Sequence, residues 1–173
     1  MTVPITIYPP LPAIEAMKSM AIGKINQITS ARMIGGFDWI PPLSVLPPDT
    51  FPESPVAPTF HFSTDTNDQA NFADASTKFL FALMTNDTGY RQPWQGWIND
   101  VQYTLTFDLS TYSGLGLRYA AHKNDTLGLG WVWKNTIRAC NTKEEMMAAF
   151  RTFDITPEEI IAVNCEMLME DNS

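Results

Sequence analysis

Eleven of the thirteen prolines fall in two short stretches, residues 1–12 and 41–58. Proline fixes φ and donates no backbone N–H, so neither stretch can form a helix or a central strand. Any regular structure must come from the remaining chain. The first stretch carries Pro4, Pro9, Pro10 and Pro12 and reads as an extended, polyproline-like arm, with Val3, Ile5, Ile7 and Tyr8 interleaved. The second holds seven prolines in eighteen residues and reads as an extended loop between a strand at 37–40 and another at 59–62. Its Leu43, Val45, Leu46 and Phe51 are apolar enough to argue against simple disorder.

Between and after these stretches the pattern is regular. Ile14, Met17, Ala21, Ile25 and Ile28 keep helical spacing, predicting a helix over residues 13–34 that stops at Gly35-Gly36. Gly23 inside it is read as a mark of close packing. Phe60 and Phe62 alternate, and a capped helix then begins. Thr66 with Gln69 three residues on is read as a capping box, and Phe72, Phe79, Leu80 and Leu83 as the apolar face of a helix ending near Met84. Asn86 to Gly89 is a turn, and residues 94–98 and 101–107 form a hairpin around Asn99-Asp100. Residues 110–139 fit either one long helix or, at GLGWVW, a strand; Gly114, Gly116, Gly128 and Gly130 oppose the helix. Thr142 to Glu145 and Thr156 to Glu159 are two more capping boxes, the second with Pro157 at the favoured first position. The expected fold is α+β: about four helices packed with two short β-hairpins. An extended arm (1–12) precedes a single domain (13–150) with its proline-rich insertion at 41–58, and an acidic C-terminal helix (151–173) follows.

Composition narrows the functions. The formal net charge is −8, with the 11 lysines and arginines scattered. An acidic surface repels phosphate and anionic lipid, so nucleic acid and membrane surfaces are not expected partners. No apolar run reaches the roughly 18 residues of a membrane span. The opening MTVPITIYPPLP lacks a basic region and a clean apolar core, so no signal peptide is expected. Cys140 and Cys165 belong to no CxxC pair and read as buried thiols, with a disulfide as the lesser alternative.

No catalytic, cofactor-binding or metal site is expected. The two histidines, His61 and His122, are isolated, and His61 alternates away from Phe60 and Phe62. Asp65, Asn67 and Asp68 lack the glycine and glutamate of a calcium loop and suit a helix start. Ser113 lacks the first glycine of a nucleophile elbow. The acidic pairs Glu144-Glu145 and Glu158-Glu159 sit where helix starts want them, with a glycosidase pair as the lesser alternative. Trp94, Trp97, Tyr90, Tyr103, Trp131 and Trp133 either pack the interior or form a sugar-binding platform.

A further set of marks is spread over residues 13–150: LysIleAsn at 24–26 with Arg32, GlyPhe at 36–37, PheSerThrAsp at 62–65 with Gln69, Trp97 before a turn, ValGlnTyrThrLeuThr at 101–106, then Lys134, Ile137 and Thr142 with Glu145. This set resembles the domain of unknown function 4376 of tailed bacteriophages, found in or beside tail-fibre and tail-fibre assembly proteins. The resemblance implies a helix, a hairpin, a second helix, a second hairpin and a long helix, in that order. The insertion at 41–58 and the glycines at 110–139 depart from the family pattern. The implied function is a non-enzymatic virion component at the tail fibre or baseplate, made in the bacterial cytoplasm. Its expected partners are tail-fibre or baseplate proteins, with self-association or binding to a trimeric fibre left open. A tail-fibre assembly chaperone is the alternative, and a host-glycan-binding attachment module a third reading. Val3, Ile5, Ile7, Tyr8, Leu43, Leu46 and Phe51 of the two proline-rich segments, with Ile160 and Met167 of the acidic C-terminal helix, are the expected partner contacts; extended segments of this kind dock in grooves and on sheet edges.

Overall fold

A computed structural model describes residues 14–48, 50–51 and 56–165. The elements are α1 (Ile14–Gly35), β1 (Phe37–Trp39), a 3-10 turn (Leu43–Val45), β2 (Phe60–Phe62), α2 (Thr66–Met84), β3 (Gln92–Ile98), β4 (Val101–Phe107), α3 (Leu109–Ala139), α4 (Lys143–Arg151) and α5 (Pro157–Ala162). The fold is α+β. The chain divides into two compact units, residues 29–128 and residues 1–28 with 129–173.

The 29–128 unit is built on one antiparallel sheet in the order β1-β2-β3-β4. The two expected hairpins are thus joined, through a single described pairing of His61 with Trp97. Asn99 and Asp100 both have positive φ (47° and 65°), the turn whose twist matches a two-residue hairpin. Gly36 turns α1 into β1 at φ 90°. A Cβ there would lie 2.3 Å from the Phe62 carbonyl oxygen, so this position needs glycine. The buried core comprises Val45, Phe60, Phe62, Phe72, Ala75, Phe79, Trp94, Leu105, Phe107, Tyr112 and Leu115. Phe72 stacks on Tyr119 and Phe79 on Tyr112, with centroids 4.2 Å apart in each pair. The buried Tyr112 hydroxyl donates to the Phe72 carbonyl at 3.0 Å.

The proline-rich loop is not a free arm. Val45 is buried, Leu46 and Phe51 pack on the sheet's core, and the Phe51 ring lies 5.5 Å from Tyr103. Its described backbone turns at Pro42–Leu46 and again at Pro47–Thr50, and Val45, Leu46 and Phe51 cover the unit's own interior while Leu43 and Val56 stay exposed.

Several expectations are corrected. Thr66 is the first residue of α2, not its cap. Asp65 is the cap, its carboxylate accepting from the Asp68 N–H at 2.9 Å, and Gln69 Nε2 donates to the Thr64 carbonyl. The Thr64 hydroxyl is instead buried and donates to the Met33 carbonyl. The buried face of α2 is Phe72, Ala75, Phe79 and Ala82, while Leu80 and Leu83 are exposed. Gly23 has no neighbour that a Cβ would meet, so it marks no close packing. Residues 109–139 are one helix, glycines included. Burial of Tyr112 and Leu115 in one unit and of Trp133 and Ile137 in the other outweighs the propensity cost of about 1 kcal/mol per glycine.

In the second unit Ala21, Ile25, Ile28, Trp133, Ile137, Cys140, Met146, Phe150 and Cys165 form the core. Lys24 donates to the Val163 carbonyl, and Lys134 Nζ to Asn26 Oδ1 at 3.2 Å. Three of the residues that carry the family resemblance therefore tie this unit together. Thr142 caps α4, but Glu145 reaches back to the Asn141 N–H rather than to Thr142 itself. Thr156 and Glu159 form the full reciprocal box. The acidic segment is not one helix: among its described residues α4 ends at Arg151, α5 runs over Pro157–Ala162, a turn follows, and Cys165 is buried. Both thiols are free and buried, as expected, and desolvation pushes both above the usual thiol range.

Candidate functional site

A concavity in the 29–128 unit lies between the first turns of α2 and β3, with a volume of about 560 Å³. The local sequence explains its position. Because β2 ends at Phe62 and pairs with β3 only at Trp97, the early part of β3 faces the start of α2 rather than a strand. From α2 and its cap come Asp65, Asn67, Asp68, Asn71 and Asp74; from β3 come Gln92, Pro93, Trp94, Gln95 and Trp97; Ser63 and Gln102 complete the lining.

These side chains are not equally available. Asp65 Oδ1 is committed to the Asp68 N–H. Asp74 holds Lys78 in an i,i+4 ion pair on the helix. Gln92 accepts from the Tyr90 hydroxyl at 2.8 Å, and Gln95 Oε1 accepts from the Thr104 hydroxyl at 3.2 Å. Trp94 is buried against Phe72, with ring centroids 4.3 Å apart, and so forms part of the wall's foundation. The side chains of Asn67, Asp68, Asn71, Trp97 and Gln102 take no hydrogen-bond partner among the described residues. Trp97 is half-buried and sits on the outer sheet face, opposite Gln102 on one side and His61 on the other. His61 is exposed, as expected, and its Nδ1 lies 2.9 Å from Asp38 Oδ1. No lysine or arginine lines the cleft.

A second surface in this unit is apolar. In the last turn and a half of α2, Leu80 is 56% exposed, Phe81 62%, Leu83 59% and Met84 74%, and only Ala82 is buried. In the other unit Trp131, Val132 and Ile161 are exposed.

The residues expected to contact partners are dispersed. Val3, Ile5, Ile7, Tyr8 and Met167 lie outside the described residues. Leu43 is exposed, Leu46 and Phe51 pack on the core of the 29–128 unit, and Ile160 packs on the core of the other. The six aromatics considered as a sugar platform do not form one surface. Tyr90 packs on Phe79, Tyr103 on Phe51 and Phe60, and Trp133 is buried in the other unit. Only Trp94 and Trp97 reach the cleft, where they meet Asp65, Asn67 and Asp68. Strand alternation could have paired Gln95 with Trp97 on one face; no sequence signal placed them beside α2. Among the described residues no group of three or more His, Cys, Asp or Glu side chains could hold a metal ion, and no helix is long and apolar enough to cross a membrane. No family model, curated protein or solved structure matches the chain.

Proposed function

We propose that this chain is a non-enzymatic component of a bacteriophage tail, associated with the tail fibre or baseplate, that works through protein–protein contacts. The observation that carries this reading is the exposed end of α2. Leu80, Phe81, Leu83 and Met84 are each more than half exposed and crowd into five residues. Apolar clusters of this kind mark contact surfaces, and covering each side chain would contribute about 1–2 kcal/mol. The order helix, hairpin, helix, hairpin, long helix also agrees with the phage-family resemblance. Exposed Leu43 of the proline-rich loop and Val3, Ile5, Ile7 and Tyr8 of the N-terminal arm are further contact candidates.

The test is a mass-spectrometric inventory of purified virions from a phage that encodes this chain. A structural component is present at fixed stoichiometry, whereas an assembly chaperone is absent from the finished particle. Phe81→Asp with Leu83→Asp should leave a folded protein that no longer enters the virion. Full occupancy by that variant would remove the α2 end from the contact surface.

A further inference from the structure

We infer that the cleft between α2 and β3 binds a neutral hexose unit of a glycan. This goes beyond the tail-contact reading and does not depend on it.

Four observations converge. The volume, about 560 Å³, falls in the range of small-molecule sites and exceeds what one sugar ring needs. Trp97 supplies a flat, half-buried indole, a surface that suits the C–H face of a pyranose while its N–H remains a donor. Around it, Asn67, Asn71 and Gln102 present carboxamides with no partner among the described residues. Each carboxamide both donates and accepts, matching a sugar hydroxyl that does the same, and adjacent hydroxyls can be held by one amide. Asp68 adds an acceptor for two hydroxyl donors.

Charge then selects among sugars. With Asp65 and Asp68 present, Asp74 paired with Lys78, and no lysine or arginine in the lining, sialic acids, uronic acids and phosphorylated sugars are disfavoured. The carboxylates do not make a cation site instead. Asp65 is committed to its helix cap and Asp74 to Lys78, which leaves Asp68 as one uncommitted carboxylate. A basic peptide would find a single anchor here, whereas a neutral polyol finds three amides, a carboxylate and an indole.

Saturation-transfer NMR of the full chain would test this. The panel is the methyl glycosides of glucose, galactose, mannose and N-acetylglucosamine, with maltose, lactose and chitobiose. Sialyllactose and tetralysine complete it. We expect millimolar binding of at least one neutral sugar, with a tryptophan fluorescence change. Trp97→Ala and, separately, the exposed Asn71→Ala should each weaken binding about tenfold. Asn71 lies on the solvent side of α2, so that variant keeps the test valid if Trp97→Ala misfolds. The α2-end variant Phe81→Asp should bind sugar normally, which separates this site from the protein contact surface. The inference is overturned if no neutral sugar binds or if tetralysine alone binds. It also fails if sialyllactose binds more tightly than lactose, or if both site variants bind as wild type.

Discussion

The adjacent glycines Gly35 and Gly36 should respond to alanine in opposite directions. Gly35 ends α1, has no left-handed φ, and has no atom within 4 Å of a prospective Cβ. Alanine there removes unfolded-state freedom and should stabilise by about 0.5–1 kcal/mol. Gly36 has φ 90°, and its Cβ would lie 2.3 Å from the Phe62 carbonyl and 2.7 Å from His61 Nε2. The left-handed conformation costs a non-glycine residue about 1–2 kcal/mol. The clash adds about 1–3 kcal/mol. The histidine ring can swing away, but the Phe62 carbonyl belongs to a strand registered with Phe37 and cannot retreat without opening the β1–β2 pair. Gly36→Ala should therefore destabilise by about 2–5 kcal/mol. Urea unfolding monitored by tryptophan fluorescence and circular dichroism measures both. Equal shifts of the same sign in the two variants would refute the assignment of the turn to Gly36.

Asp65→Ala should cost about 0.5–2 kcal/mol in thermal or urea unfolding, whereas Thr66→Ala should be nearly neutral; the reverse order would return the cap to Thr66. Asp108, beside the start of α3, accepts from the Ser110 hydroxyl and from the Thr111 hydroxyl and N–H, which hold its carboxyl down at about 2. Its folded value is below its unfolded one, so its stabilisation is complete above about 3.8 and is lost as pH falls towards about 2. The stability gap between wild type and Asp108→Asn should narrow across that window, and a gap independent of pH would contradict the bonding. Tyr112→Phe should cost about 0.5–1.5 kcal/mol by removing the buried bond to the Phe72 carbonyl. Cys140 and Cys165 should react with a thiol reagent at mildly alkaline pH only as fast as the chain opens, and rapid labelling of the native protein would place them at the surface.

Local chemistry was legible in the residue string. Proline density kept α-helix and strand out of the described part of residues 41–58, where only a 3-10 turn at Leu43–Val45 forms, the Asn99-Asp100 turn and alternation defined the second hairpin, and Gly35-Gly36 ended α1. These features depend on a residue and its near neighbours, which is what periodicity and turn preferences report. Capping was legible only to within a residue, because Thr64, Asp65 and Thr66 all carry suitable oxygens. Burial of the Thr64 hydroxyl against Met33 removed one, and the Asp68 N–H donating to the Asp65 carboxylate chose Asp65 over Thr66. The glycine-interrupted stretch at 109–139 was undecidable locally; packing of Tyr112, Leu115, Trp133 and Ile137 made it a helix. Tertiary structure alone turned part of the proline-rich loop inward, burying Val45 and packing Leu46 and Phe51 against the core. It alone also joined the hairpins through His61 and Trp97 and set the start of α2 beside β3. The cleft exists because β2 is too short to pair along the rest of β3, and a strand's length is set by what packs around it as much as by its own residues.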